Sequence, residues 1–456
     1  MIRKRLFPAA LLALNVATVA VLASTGGSTE GRVMTQTMSA GQSTAQAAPS
    51  SACVTPGAVL SVEEQRTTLS LPGRTTPVAR DFIEAAGFEG IVDGFADKLC
   101  GYTSVSEANA AIKAAGAALW RTAVDRAQGR LTSGTIDRYD DRPLYWARTS
   151  MSRAVREWQA PFALTSLQRQ AILRQFSYAS RGIDQVSFPR SGTRMLVSGF
   201  DTYSLDASLR NSNPSGASAL QLDGRTVKTK HGLVTLQSVV FPVNWTDFDQ
   251  GIVEDAFGPW LVARKDPRYQ GSIDALMTIS QTGRGQMNIE KWAGGFRGGS
   301  PDNNRALNWG PISAAALWPQ PQPSPQFIHT TLPYQAMIDA GTGPWPVKLN
   351  PGITEWPAGT FPDPAALRTA PDPSPGSRAA SAPGGNYLSN ESMYRTNRLR
   401  LGTGHSTLPG GHLHISALVY PTDLSALTSP EFQADRKAVV DQTVALVEAA
   451  GKAVRR

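Results

Sequence analysis

Ser389 and His414 are the side chains best suited to nucleophilic chemistry. Ser389 closes a Gly-led apolar run, Gly384-Gly385-Asn386-Tyr387-Leu388, of the kind that leads from a strand or turn into a helix. His414 stands 25 positions later in Gly410-Gly411-His412-Leu413-His414-Ile415-Ser416, alternating with Leu413, Ile415, Ala417 and Val419, which predicts a strand. A serine hydroxyl is almost entirely un-ionised at neutral pH, so attack by its oxygen requires a base within hydrogen-bond reach. Glu290, in Gln286-Met287-Asn288-Ile289-Glu290-Lys291-Trp292, is the carboxylate chosen to orient that base. Taken singly these are a turn serine, a core histidine and a loop glutamate; only their conjunction points to catalysis.

The elements that must position them form an α/β pattern after residue 189. Short apolar runs at 194–198, 239–243, 275–279 and 413–419 read as strands, and the stretch 247–257 between two of them reads as helix. Such alternation predicts a mostly parallel sheet with flanking helices. Ligands of open α/β sheets bind beyond the carboxyl ends of the strands, so Gly199 to Tyr203, Gln281, Ser389 and His414 converge on one edge. The last helix has the clearest start: Ser429 can cap it, Pro430 suits its first turn and Glu431 the positive end of its dipole. Residues 319–325 and 351–383 read as Pro-rich insertions, the second largely disordered.

The region 53–188 reads as an all-α accessory domain. Ser104-Val105-Ser106-Glu107 is a capping box ahead of Ala110, Ile112, Leu119 and Val124, and further helices are expected over 144–158 and 166–178. Trp120, Trp146, Trp158 and Phe176 read as core. Ahead of it, residues 1–23 carry a basic start and an apolar run that look like a secretory signal peptide, or alternatively an N-terminal anchor. Residues 24–52 read as a flexible tether.

Composition narrows the function. With 456 residues and 41% hydrophobic content the chain is long enough for two or three domains with real cores. The net charge of +8 is mild for that length and no Lys/Arg run with interleaved aromatics occurs, which argues against nucleic-acid binding. A general attraction to an anionic cell envelope fits better. Cys53 and Cys100 are the two cysteines, and in an exported chain they favour one disulfide over two free thiols. Neither has a metal-ligand spacing, and no metal or organic cofactor is suggested.

From about residue 194 to 421 the chain resembles the pyroglutamyl peptidase (pyrrolidone-carboxylate peptidase) family of cysteine peptidases. Its Gly-Phe-Asp/Glu-Pro-Phe and Asn-Pro-Ser segments are similar to Gly199-Phe200-Asp201-Thr202-Tyr203 and Asn213-Pro214-Ser215. Its Gly-Gln-Ala-Gly-Gly-Arg loop, catalytic glutamate and Pro-Asp-Asn look like Ser280 to Gly285, Glu290 and Pro301-Asp302-Asn303. Its nucleophile and histidine segments look like Gly385 to Glu391 and Gly410 to Ser416. No single piece is specific, whereas five in the right order are.

The resemblance implies Ser389 as nucleophile, His414 as base and Glu290 as the group that orients it. The amide cut would follow an N-terminal pyroglutamyl or similar group of a peptide or small amide. Phe200 and Tyr203 would flank the ring, with Gln281 and Leu388 lining the same pocket. Three departures stand out. Serine replaces the family's cysteine, Glu391 replaces the histidine after it, and Gly299 takes the place of an arginine, Arg297 being the nearest candidate. A catalytically silent protein that binds capped peptides or cell-envelope fragments is the alternative.

Overall fold

The computed structural model describes residues 52–230 and 232–454, which fall within one compact unit. The signal-peptide reading of residues 1–23 and nearly all of the 24–52 tether lie outside the described residues. The central sheet has seven strands: β1 Thr193–Phe200, β2 Thr226–Thr229, β3 Gly232–Phe241, β4 Ala275–Gln281, β5 Met287–Glu290, β6 Val347–Asn350 and β7 Gly410–Ile415. Across the sheet they run β6-β5-β7-β4-β1-β3-β2. Strands β3, β1, β4 and β7 are mutually parallel, whereas β5 with its parallel neighbour β6, and β2 at the other edge, run the opposite way. The fold is therefore α/β, mostly parallel, with helices on both faces and a helical region before it.

Residue alternation decides what each face of the sheet meets. Met277, Ile279, Met287, Ile289, Leu413 and Ile415 point to one face, where the last helix, Pro430–Ala453, buries Val439, Val440, Leu446 and Val447 against them. Each such fully buried side chain contributes about 1.5–3 kcal/mol. Thr278, Ser280, Asn288, Glu290, His412 and His414 occupy the opposite face, a polar stripe across β4, β5 and β7. The helix Leu388–Gly402 lies over that face, packed on β4 and β7. Sequence alternation thus delivers the histidines, the glutamate and the helix bearing Ser389 to the same side.

Local sequence explains the loop after β1. Asn213 caps the helix Pro214–Leu222 by accepting from Ser215 N at 3.1 Å, Pro214 fills its first turn, and Asn213 Nδ2 donates to the Asp201 carbonyl at 2.8 Å. This helix lies so close to β1 that a Cβ on Gly199 would stand 2.2 Å from the Ser215 carbonyl oxygen. The expected helix at 247–257 is two short ones, Trp245–Asp249 and Ile252–Phe257, divided at Gly251.

The helical region contains Val105–Ala127, Arg142–Glu157 and Ser166–Ser180. Ser104 caps the first of these, but Glu107 reaches back to Thr103 N rather than to Ser104 N, so the capping box is not reciprocal. Trp120, Trp146, Trp158 and Phe176 lie in one buried cluster that also takes in Leu205, Leu220 and Val240 of the sheet region. Cys53 and Cys100 are joined as a disulfide, Cα to Cα 5.5 Å.

The expectation of disorder over 351–383 needs correction. Ile353–Trp356 is the middle strand of a three-stranded antiparallel sheet, with Arg368–Ala370 and Arg378–Ser381 on either side. Glu355 is buried there, accepting from Arg368 Nε at 2.8 Å and Ser374 N at 2.9 Å, while Trp356 packs on Phe296 and Phe361. Proline content concealed two anchors, one apolar and one ionic.

Candidate active site

His414 Nδ1 and Glu290 Oε1 lie 2.7 Å apart, both residues buried. Antiparallel pairing of β5 with β7 sets His414 opposite Asn288, so Glu290, two residues on and on the same face, reaches it diagonally. This bond places a proton on Nδ1 and leaves Nε2 as the basic nitrogen. Nε2 has no hydrogen-bond partner among the described residues. Glu290 Oε2 accepts from Asn350 Nδ2 at 3.0 Å, so both carboxylate oxygens are fixed.

Ser389 is the second residue of the helix Leu388–Gly402. Tyr387, at the cap position, offers no side-chain bond, and the first intrahelical bond runs from Glu391 N to the Tyr387 carbonyl. The N–H groups of Leu388, Ser389 and Asn390 consequently point out of the helix without partners among the described residues, at its positive end. An anion forming beside Ser389 would meet them. The Ser389 hydroxyl has no hydrogen bond among the described residues, so no Ser389–His414 bond is made.

A small cavity of about 60 Å³ opens beside Ser389, walled by Phe200, Tyr203, Val243, Gln281, Tyr387 and Leu388. Ser280, which also lines it, is the β4 partner of His414 across the parallel pair. The sequence-predicted pocket residues thus surround one space next to the predicted nucleophile. Gln281 Nε2 donates to the Tyr203 hydroxyl, whereas Gln281 Oε1 is buried without a partner. A buried amide oxygen left so is costly, by about 1–3 kcal/mol, and invites an N–H donor from a ligand.

Glu391 is buried and turned into an ionic network. Its Oε1 accepts from Arg297 Nη2 at 2.5 Å and Arg395 Nε at 2.7 Å. Arg297 also meets Asp249 at 2.7 Å, and Arg395 meets Glu254 at 3.0 Å. The negative charge of Glu391 is therefore met by two guanidinium groups, those of Arg297 and Arg395.

Three polar residues of this part of the fold were not legible in the sequence. Asn350 was hidden in an edge strand whose partner could not be foreseen. His412 sits between Thr278 Oγ1 at 2.7 Å and Ser280 Oγ at 2.8 Å, its ring 4.5 Å from that of His414. Burial first, then the neighbouring His414, holds its pKa well below the ordinary histidine value, so it stays neutral. Glu63, from the short helix Val62–Gln65, accepts from the Tyr145 hydroxyl at 2.9 Å and Asn303 Nδ2 at 3.1 Å. Burial, reinforced by Asp201, raises its carboxyl to about 7. It borders a cavity of about 830 Å³ between the helical region and the segment 244–250 that follows β3.

Comparison with known proteins gives two profile matches. One, described as PA0049 N-terminal domain, covers residues 44–177; the other, described as PA0049, C-terminal domain, covers 194–308 and 355–419. The Pseudomonas aeruginosa protein called Uncharacterized protein PA0049 is 34% identical over 506 aligned positions, spanning 87% of this chain and 90% of that one. Among solved structures, pyroglutamyl peptidase I of Bacillus amyloliquefaciens aligns over 57% of this chain and 97% of its own, with 16% identity and a TM-score of 0.37.

Proposed function

The chain belongs to the PA0049 family, and for it we propose a serine-dependent amidase or peptidase that removes an N-terminal pyroglutamyl or similar compact group. The observation that carries this reading is the buried His414–Glu290 bond, one strand across from Ser280, which lines a cavity bordered by Ser389. In the proposed reaction His414 Nε2 takes the Ser389 proton as Oγ bonds to the substrate carbonyl carbon. The oxyanion forms against the open N–H groups of the helix start. His414 then returns the proton to the leaving amine as the C–N bond breaks, and water hydrolyses the acyl-serine by the same exchange in reverse. A lactam N–H would satisfy Gln281 Oε1, while Phe200 and Tyr203 bracket the ring. The Cys53–Cys100 disulfide supports an extracytoplasmic setting, as the apolar start of the chain does.

The test is hydrolysis of a fluorogenic pyroglutamyl amide by the parent, Ser389→Ala and Ser389→Cys. Turnover by the parent is expected, with a loss of roughly 1,000-fold or more in Ser389→Ala. Equal turnover by parent and Ser389→Ala would refute the nucleophile. A second reading, binding without turnover, is favoured by the unbonded Ser389 hydroxyl. It predicts calorimetric binding of a pyroglutamyl peptide with no product formed.

A further inference from the structure

We propose that Asn350 is a positioning residue that locks the Glu290–His414 pair and the turn leading to Ser389 into one unit. It is the last residue of the edge strand Val347–Asn350, paired in register with Glu290 of β5. The backbone on either side is tied as well, since Lys291 N donates to the Asn350 carbonyl at 2.9 Å. From this fixed base one amide nitrogen serves two acceptors. Asn350 Nδ2 donates to Glu290 Oε2 at 3.0 Å and to the Pro383 carbonyl at 3.2 Å.

Each bond does something distinct. The first satisfies the carboxylate oxygen that His414 does not use. Glu290 is 1% exposed, so without Asn350 that oxygen would have neither water nor protein to bond. A carboxylate held at one oxygen only can rotate about its terminal torsion, and the imidazole would follow. The second bond holds the tight turn in which Ala382 and Gly385 exchange backbone hydrogen bonds of 2.9 and 2.8 Å. Gly384 in that turn presses on the pair itself: a Cβ there would stand 2.4 Å from His414 Cε1 and 3.4 Å from Glu290 Cδ. Five residues beyond Gly384 comes Ser389. One amide thus spans the orienting carboxylate and the segment that delivers the hydroxyl. Asn350 also lies in the 309–354 stretch left unmatched by the C-terminal profile, so its role belongs to an insertion rather than to the matched region.

This inference rests on the peptidase reading for its kinetic part, and the experiment separates the two. Asn350→Ala and the nearly isosteric Asn350→Leu are compared with the parent in two ways. Kinetics use a fluorogenic pyroglutamyl amide. Nitrogen-15 NMR of histidine-labelled protein at pH 8, with His414→Asn for assignment, reads the tautomer of His414 without any turnover. The parent is expected to hold its proton on Nδ1. Both variants should shift towards a mixed tautomer and lose roughly 10- to 100-fold in kcat, with KM within about threefold. Because Leu keeps the shape of Asn without a donor and without a charge, a loss in both assigns the effect to donation rather than packing. If the parent proves silent on every amide while the tautomer shifts in both variants, the positioning role stands and the peptidase reading falls. An unchanged tautomer in either variant, or parental kcat in Asn350→Leu, would overturn the proposal.

Discussion

At the scale of single residues, the site depends on contacts with almost no slack. Gly384 lies against His414 so closely that even a methyl group must displace the ring or the turn. Gly384→Ala is therefore expected to lower kcat on a pyroglutamyl amide by about 100-fold, the effect of a misplacement near 1 Å. The same substitution should destabilise the protein by about 1–3 kcal/mol, as overpacking does. Steady-state kinetics beside a urea melt would check both, and full activity would show that His414 has room to move. Glu391, by contrast, two residues after Ser389, has its charge held by Arg297 and Arg395. Ser389, His414, Glu290 and the pocket residues were named from short segments of recognisable order, and the structure pairs His414 with Glu290 and gathers Phe200, Tyr203, Gln281 and Leu388 round one cavity that Ser389 borders. Asn350 and His412 could not be found that way, since their bonds cross between strands whose pairing no local pattern reveals.

At the scale of elements, pairing and packing decide which side chains meet. Alternation alone sends His412, His414, Asn288 and Glu290 to the face covered by the helix Leu388–Gly402. What the sequence left open was the reversed direction of β5 and β6, which makes the sheet mixed and turns Glu290 towards His414 by a diagonal. The short helix Val62–Gln65 was equally obscure: four residues carry no periodic signal, yet they bring Glu63 to Tyr145 and Asn303. Its carboxyl titrates near 7 in the fold against an ordinary 4.5, so folding favours the protonated form. That contribution is fully present below about pH 4.5 and is lost as pH rises through 7. Glu63→Gln removes the ionisation, and its melting temperature relative to the parent should rise between pH 4.5 and pH 8. Differential scanning fluorimetry across that range decides it; a pH-independent difference would mean that Glu63 ionises without penalty.

At the scale of the whole molecule, the helical region is bound to the sheet by shared core and by polar links. Trp120 Nε1 donates to Asp223 at 3.2 Å, and Gln128 Nε2 donates to the Leu220 and Asp223 carbonyls at 3.0 and 2.7 Å. Buried ion pairs reinforce the seam: Arg148 of the helical region and Arg181 both hold Asp201 in the loop after β1, next to Phe200. The Cys53–Cys100 disulfide closes a 47-residue separation and constrains the unfolded chain by about 3 to 4 kcal/mol. Among the described residues no helix is long and apolar enough to cross a membrane. Composition foretold the helices and the core but said nothing of this seam, because arginines and aspartates read as surface until their partners are known.

Covalent capture can show whether Ser389 is a nucleophile activated by His414. The protein would be incubated with a diphenyl phosphonate analogue of pyroglutamate, digested, and analysed by mass spectrometry. One phosphonyl adduct is expected, on the peptide carrying Ser389, formed by the parent but not by His414→Ala. An unmodified Ser389 peptide in the parent, or an adduct that forms equally well without His414, would contradict it.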